Sequence, residues 1–213
     1  MTARRPLARR ASAIAATAAA AALLAACGSN DKPASSGHDM NSMSSTPSAP
    51  AAATQGSHNR QDTAFAQGMI PHHRQAVAMA DLAPSRAKSS DVKTLATTIK
   101  KAQDPEITTL SGWLKGWGEK VPAADGEDNM DHSSGHDMSG MMSADDMTKL
   151  EKLSGAAFDT AFLHMMVGHH QGAIDMAKTE QAKGAYGPAK NLAKSIIASQ
   201  TVEITQMNKL LGK

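Results

Sequence analysis

The sequence predicts an all-α protein, a bundle of four helices made of two copies of a helical hairpin. Three observations support this fold class. The chain contains an internal repeat, each copy carries apolar residues at helical spacing, and no segment alternates apolar and polar residues as a half-buried strand would. Two antiparallel hairpins that each have an apolar face bury it most simply against each other, which gives a four-helix bundle.

The repeat has a period of 97 residues. Residues 62–80 align without a gap with residues 159–177, and 10 of these 19 positions are identical. The same shift places Glu106 on Glu203, with a glutamine three residues before each. Because the correspondence includes both an early and a late segment, the duplicated unit is a whole two-helix hairpin.

Each copy shows the periodicity of two helices. Pro71 lies inside the first helix and predicts a kink or local loosening there, and Gly168 occupies the equivalent position of the second copy. Residues of the first helix step by three and four along a face about 80° wide, namely Phe65, Met69, His72, Ala76 and Met79. Comparable stripes mark two later helices: Val92, Leu95, Ile99, Ile107, Leu110 and Leu114, then Leu192, Ile196, Ile204, Met207 and Leu211.

The N-terminus has the layout of a secretory signal. The first ten residues contain four arginines and no acid, and an Ala/Leu-rich run too short for a comfortable membrane span follows. The run ends in LLAAC, a small-residue cleavage site directly before Cys27, the only cysteine. This pattern resembles a bacterial lipoprotein signal, in which the cysteine is lipid-modified and begins the mature chain. We therefore expect residues 1–26 to be removed and the protein to be exported and lipid-anchored to the outer face of the cell membrane.

Composition divides the mature chain into a tether and one domain. Residues 27–60, rich in Ser, Ala, Pro and Gly, are expected to be a disordered tether. Residues 61–213 form the duplicated domain: hairpin one at 61–120, a flexible Met/His-rich loop at 121–147 and hairpin two at 148–213. Removal of the signal lowers Lys+Arg from 22 to 18 against 20 Asp+Glu, so no basic surface for nucleic acid is expected.

Each copy carries two adjacent histidines with methionines at matching positions before and after them. A single buried His or Met usually packs in a core, but two such sets that face one core would bury several imidazoles and thioethers together. Met69 and His73 lie one turn apart, about 6 Å along the helix axis, which suits binding of one ion. Met79 lies about 10 Å from His72 and belongs to a second layer or to the core. The candidate metal ligands are Met69, His72, His73, Met79, Met166, His169, His170 and Met176.

This donor set favours copper. Imidazole and thioether without a thiolate suit copper, and methionine favours Cu(I). Zinc sites more often recruit cysteine or carboxylates, and a di-iron or di-manganese bundle would need Glu-x-x-His, which the sequence lacks. Glu106 and Glu203 are expected to be buried carboxylates that form hydrogen bonds, or that contact the ligands without binding the ion themselves.

The low-complexity segments carry the same kinds of side chain. The motif GHDM occurs twice, and methionines are dense in hydrophilic sequence that has nothing to bury. The pattern predicts weak auxiliary copper capture, although compositional drift in a solvated linker would also produce it. The auxiliary candidates are His38, Met40, Met43, Met130, His132, His136, Met138, Met141 and Met142.

The motifs DTAFAQGMIPHHRQAVAMA and DTAFLHMMVGHHQGAIDMA, each followed by a Gln-x-x-Glu-Ile helix, resemble the bacterial family called domain of unknown function 305. The resemblance covers about residues 60–213. It implies a ferritin-like four-helix bundle, often exported, with copper binding and copper resistance in some members. It also implies that the eight candidate ligands are the functional residues.

The sequence thus predicts an extracytoplasmic lipoprotein that buffers, sequesters or hands on copper. Two alternatives stay open. One is a copper or di-metal oxidase in the bundle core, which would need an open coordination position and a substrate cleft. The other is a structural or partner-binding lipoprotein that binds no metal. The expected partners are the membrane, through the lipid, and a copper donor or acceptor protein.

Overall fold

Five helices make up the part of the chain that the structure describes, residues 56–123 and 139–213. The structure is a computed structural model, and all described residues belong to one unit, Pro50–Lys213. It contains no β-strand in those residues, only an isolated bridge between Ala87 and Gly155, so the all-α prediction is confirmed. The helices are α1 (Arg60–Arg86), α2 (Ser90–Trp117), α3 (Ala144–Lys152), α4 (Gly155–Lys183) and α5 (Gly187–Leu210).

The four long helices form two hairpins, as the repeat predicts. Helix α1 packs along α2, α4 packs along α5, and α1 and α4 meet between the hairpins. Local sequence sets the helix ends. The Asn59 side chain accepts hydrogen bonds from the backbone amides of Gln61 and Asp62 in a capping box, and Ser89 caps α2.

A reciprocal pair of aspartates joins the two hairpins. Asp62, at the start of α1, accepts hydrogen bonds from the backbone amides of Ala185 (3.1 Å) and Tyr186 (2.9 Å) in the α4–α5 turn. Asp159, its equivalent in α4, accepts hydrogen bonds from the amides of Lys88 (3.1 Å) and Ser89 (2.9 Å) in the α1–α2 turn. The first residue of each DTAF motif therefore holds the turn of the other copy.

The short helix α3 corrects the predicted boundaries of the loop. It begins at Ala144, inside the segment expected to be flexible up to residue 147, and continues into the predicted second hairpin. Ser143 caps it, acidic residues occupy its first turn and lysines its last, and Leu150 is fully buried. Leu150 and the partly buried Met147 pack these nine residues against the bundle.

Helix α1 continues without a break through Pro71 and Pro84. The helix thus continues past Pro71, and the predicted kink or local loosening there stays a prediction. The rest of a 27-residue helix, buried along one face, outweighs the loss of one backbone hydrogen bond. None of the five helices is both long and apolar enough to cross a membrane.

Two apolar clusters fill the bundle, and a polar layer separates them. One cluster contains Phe65 and Ile70 near the start of α1, and the other contains Ala76 and Ala83 near its end. On α4 the order is reversed, since Phe158 packs in the second of these clusters. On both helices the histidine pair lies between the residues that pack in one cluster and those that pack in the other. The bundle thus places the histidines of both copies at one level.

Candidate metal centre

Four buried histidines form the polar layer, which we call the histidine layer: His72, His73, His169 and His170. None is more than 1% exposed. The rings of His72 and His169, which occupy equivalent positions in the two copies, lie against each other with centroids 3.8 Å apart. Within each pair the ring centroids are 6.5 Å apart. The sequence assigned these four residues to two separate helices, and the fold brings them together.

Two carboxylates fix the orientation of His73 and His170. His73 Nε2 lies 2.7 Å from Glu106 Oε2, and His170 Nε2 lies 2.8 Å from Glu203 Oε2. A carboxylate accepts the Nε2–H proton, and this bond selects the imidazole tautomer whose Nδ1 carries a lone pair. Helices α2 and α5 therefore supply equivalent glutamates that orient equivalent histidines.

His72 also donates a hydrogen bond from Nε2, but its acceptor is a backbone carbonyl. Its Nε2 donates to the backbone carbonyl of Ser139 at 3.2 Å. The Nδ1 atoms of His72, His73 and His170 are buried and have no hydrogen-bond partner among the described residues. His169 makes no well-formed hydrogen bond at either ring nitrogen, apart from a weak approach to the His72 backbone. The histidine layer thus contains several buried imidazole nitrogens without a donor or acceptor.

Burial keeps His72 and His169 neutral. Desolvation and the proximity of His73 lower the pKa of His72 to about 3. Desolvation and the nearby His72 place the pKa of His169 well below its usual value. A neutral imidazole is the form that binds metal, so these two side chains need not lose a proton to act as ligands near neutral pH.

The antiparallel packing of α1 and α4 distributes the candidate methionines between the two apolar clusters. Met69 is buried in the cluster near the start of α1, and Met176 is partly buried against it. Met79 and Met166 are buried together in the other cluster. Each side of the histidine layer therefore has thioethers from both copies, a pairing that the spacing within one helix could not reveal.

Two of the auxiliary candidates lie next to the histidine layer. Met141 and Met142 are partly buried in the short segment that precedes α3. The side-chain amide of Gln75 donates to the carbonyl of Met142 (2.9 Å) and accepts from its backbone amide (2.7 Å). Cys27 and the other auxiliary candidates lie outside the described residues: His38, Met40, Met43, Met130, His132, His136 and Met138.

The sequence placed two glutamines at corresponding positions but did not indicate that both are buried. Gln103 and Gln200 lie one turn before the two glutamates and are 2% and 3% exposed. Both amide atoms of Gln103 and the oxygen of Gln200 have no hydrogen-bond partner among the described residues. The signal in the sequence was that both copies have glutamine at this position. Leucine would pack better within an apolar stripe, so a repeated glutamine there points to a polar role.

Within residues 56–123 and 139–213, no group of three or more His, Cys, Asp or Glu side chains is arranged to hold a metal ion. A tetrahedral site built from nitrogen and oxygen ligands is therefore not preformed there. The rings of His72 and His169 do lie against each other, and the candidate methionines pack in the apolar clusters on either side.

Fold and site define a duplicated helical bundle with a buried histidine layer. The chain belongs to the family described as domain of unknown function (DUF305), whose model matches residues 62–211. No curated protein shows significant similarity to it.

Solved structures share this fold. A DUF305 protein from Streptomyces coelicolor, assigned as secreted, has 32% sequence identity and a TM-score of 0.64, with 71% of this chain and 92% of that chain covered. A DUF305 fragment from Deinococcus radiodurans has 28% identity and a TM-score of 0.63, with coverage of 72% and 97%. CopM in its Cu(II)-bound form has 33% identity and a TM-score of 0.58, with coverage of 70% and 94%. CopM structures with Cu(I) and with silver are also similar.

Proposed function

We propose that this protein is an exported, lipid-anchored copper-binding protein that buffers, sequesters or hands on copper outside the cytoplasm. The observation that carries the proposal is the histidine layer, in which buried Nδ1 atoms of both copies have no hydrogen-bond partner among the described residues. A buried lone pair without a donor is costly, and native structures rarely keep several together unless something binds there. A metal ion would satisfy them.

The donor set supports copper over zinc. Zinc generally takes four ligands and often includes cysteine or carboxylate. The described residues offer no group of three His, Cys, Asp or Glu for it. Imidazole and thioether together suit copper, and Cu(I) in particular. CopM, which shares the fold, binds Cu(I), Cu(II) and silver, an agreement that supports the same ligand chemistry here.

Export and anchoring have separate support. A secreted assignment for one relative favours export. The lipid anchor rests on the sequence alone, because LLAAC ends at Cys27 in the position that lipid modification requires. An anchored protein would keep bound copper at the cell surface, where a donor or acceptor protein can reach it.

Competition titration tests the proposal. The full-length protein, its His72→Ala/His169→Ala variant and a His164→Ala control are titrated with Cu(I), Cu(II) and Zn(II) against a chromophoric chelator. His164 lies on α4 but is exposed, so its loss should not matter. We expect the double variant to lose the tightest copper binding and the control to retain it. Zinc binding as tight as copper binding in the parent would contradict the proposal, and copper-dependent oxidation of added phenols or ferrous iron would favour the oxidase alternative.

A further inference from the structure

A short segment of backbone crosses the histidine layer. Residues 139–142, which we call the strap, lead into α3 and lie against both α1 and α4. The carbonyl of Ser139 accepts the Nε2–H of His72 at 3.2 Å. The strap therefore touches one of the proposed ligands directly, on the side of the ring opposite its bare Nδ1.

Equivalent positions of the two copies hold the strap in different ways. Gln75 on α1 makes two hydrogen bonds to the backbone of Met142, of 2.9 Å and 2.7 Å. The residue 97 positions later is Gly172 on α4, and a Cβ atom there would lie 1.8 Å from the carbonyl oxygen of Ser139. One copy thus grips the strap with a side chain, and the other makes room for it by having none.

The strap itself is shaped for this close approach. Gly140 has a φ of 83°, in the left-handed region that glycine tolerates. A Cβ atom on Gly140 would lie 2.6 Å from the carbonyl oxygen of Gly168 and 3.0 Å from that of His169. Gly140 on the strap and Gly172 on α4 therefore allow the strap backbone to lie directly against α4 beside the histidines.

We propose that the strap controls access to the histidine layer and sets the rate at which a metal ion enters and leaves it, with Gln75 as the residue that holds the strap in place. This inference rests on the proposed copper binding. Release of the strap raises the rates at which an ion enters and leaves. Because the carbonyl of Ser139 also accepts the Nε2–H of His72, release lowers the affinity as well. Gln75 acts through the backbone of Met142 and needs no contact with the ion.

Access is measured first without metal. Full-length protein is treated with diethylpyrocarbonate, and the modification rates of His72 and His169 are followed by mass spectrometry. In Gln75→Ala we expect the rates to rise about thirtyfold, the increase that corresponds to the loss of two net hydrogen bonds. Gly172→Ala should have the same effect, since alanine favours the helix but collides with the strap.

The matched control is Gln67→Ala. Gln67 is also on α1 and donates to a loop backbone carbonyl, that of Lys120 at 3.1 Å, but it does not touch the strap. In Gln67→Ala, the modification rates of His72 and His169 should equal those in the parent. Equal rates in the parent and in Gln75→Ala would overturn the proposal.

Ion exchange is measured next, as the release of Ag(I) and Cu(I) from the loaded protein to excess chelator by stopped flow. Gln75→Ala should take up both ions about thirtyfold faster and release them faster by at least the same factor. Faster modification without faster release would overturn the role of the strap in exchange while copper binding stands. If the parent binds neither ion, the proposed function fails and the exchange role with it, whereas the modification rates still report whether Gln75 holds the strap.

Discussion

The bond between His73 and Glu106 shows how one hydrogen bond prepares an imidazole for a metal ion. An ionised carboxylate can accept hydrogen bonds but cannot donate them. Glu106 therefore keeps the proton of His73 on Nε2 and the lone pair on Nδ1. His170 and Glu203 repeat this arrangement in the second copy. Both copies of the repeat therefore present a histidine whose Nδ1 is left free to bind an ion.

Replacing these glutamates should weaken metal binding without removing a ligand. In Glu106→Gln/Glu203→Gln the amide can accept or donate, so the tautomer is no longer fixed. Loss of such a partner typically costs about tenfold or more in metal affinity. Glu151→Gln, on the exposed surface of α3, is the control. An unchanged copper affinity in the double variant would show that the carboxylates do not act on the ligands.

The buried carboxyl of Glu180 makes stability depend on pH. Desolvation and the hydrogen bond and charge of Asp62 raise the pKa of Glu180 to about 8 from 4.5. Gln61 and Lys190 act in the opposite direction. Burial alone would raise the pKa of Asp62, but the backbone amides of Asn59, Ala185 and Tyr186 donate to this carboxylate and lower its pKa. At neutral pH Glu180 is therefore the protonated carboxyl of the pair.

A raised folded-state pKa fixes the sign of the effect. The contribution of Glu180 is fully present below the unfolded value of 4.5 and is lost as the pH rises through about 8. We therefore expect the free energy of unfolding, measured with urea, to fall between about pH 5 and about pH 9 more steeply in the parent than in Glu180→Gln. Glu119→Gln, an exposed glutamate, should follow the parent. Parallel curves for parent and Glu180→Gln would contradict the assignment.

At the scale of elements, the aspartates of the two DTAF motifs join the hairpins. Each accepts backbone amide protons from the turn of the other copy, so their loss leaves amides without partners. Asp62 is fully buried and Asp159 is only partly buried.

Asp62→Ala should therefore destabilise the protein more than Asp159→Ala, by about 2–3 kcal/mol against about 1 kcal/mol. Urea denaturation at pH 7 measures both. Asp175→Ala, an exposed aspartate in the interior of α4, should change the free energy of unfolding little. Equal, small effects of all three substitutions would refute a joining role for the motif.

The long helices could be predicted from the sequence, and the elements between them could not. Apolar residues three and four apart determine α1, α2, α4 and α5, because a helix that buries one face must repeat with that period. Helix α3 has one fully buried apolar residue, Leu150, so its period is too weak to detect in polar sequence. The strap depends on two glycines at distant positions, and such complementarity has no local signature.

At the scale of the whole molecule, the sequence predicted that the histidines and methionines of both copies face one core, but not which of them lie against each other. The duplication identified the histidines and glutamates of both copies, and their mutual contacts follow from the antiparallel packing of α1 and α4. The same packing joins Met79 with Met166, at non-equivalent positions of the repeat. Periodicity within one helix gives the face of a residue but not its partner on another helix.

The anchor is a separate prediction for the whole protein. If Cys27 receives the lipid, Cys27→Ser should abolish incorporation of a labelled fatty acid and leave the protein unprocessed or released from the membrane. Cell fractionation and metabolic labelling measure both. Equal labelling of the parent and the Ser variant would rule out Cys27 as the modified residue.

The central claim, that the buried histidines bind copper through Nδ1, is tested most directly by nitrogen NMR of the imidazole rings. Long-range ¹⁵N–¹H spectra of the full-length protein are recorded before and after addition of Ag(I), a diamagnetic substitute for Cu(I). We predict Nε2–H tautomers for His73 and His170 in the metal-free protein, and a change in the Nδ1 resonances of the histidine layer on addition of the ion. Unchanged Nδ1 resonances in all four histidines, with silver bound elsewhere, would contradict the account.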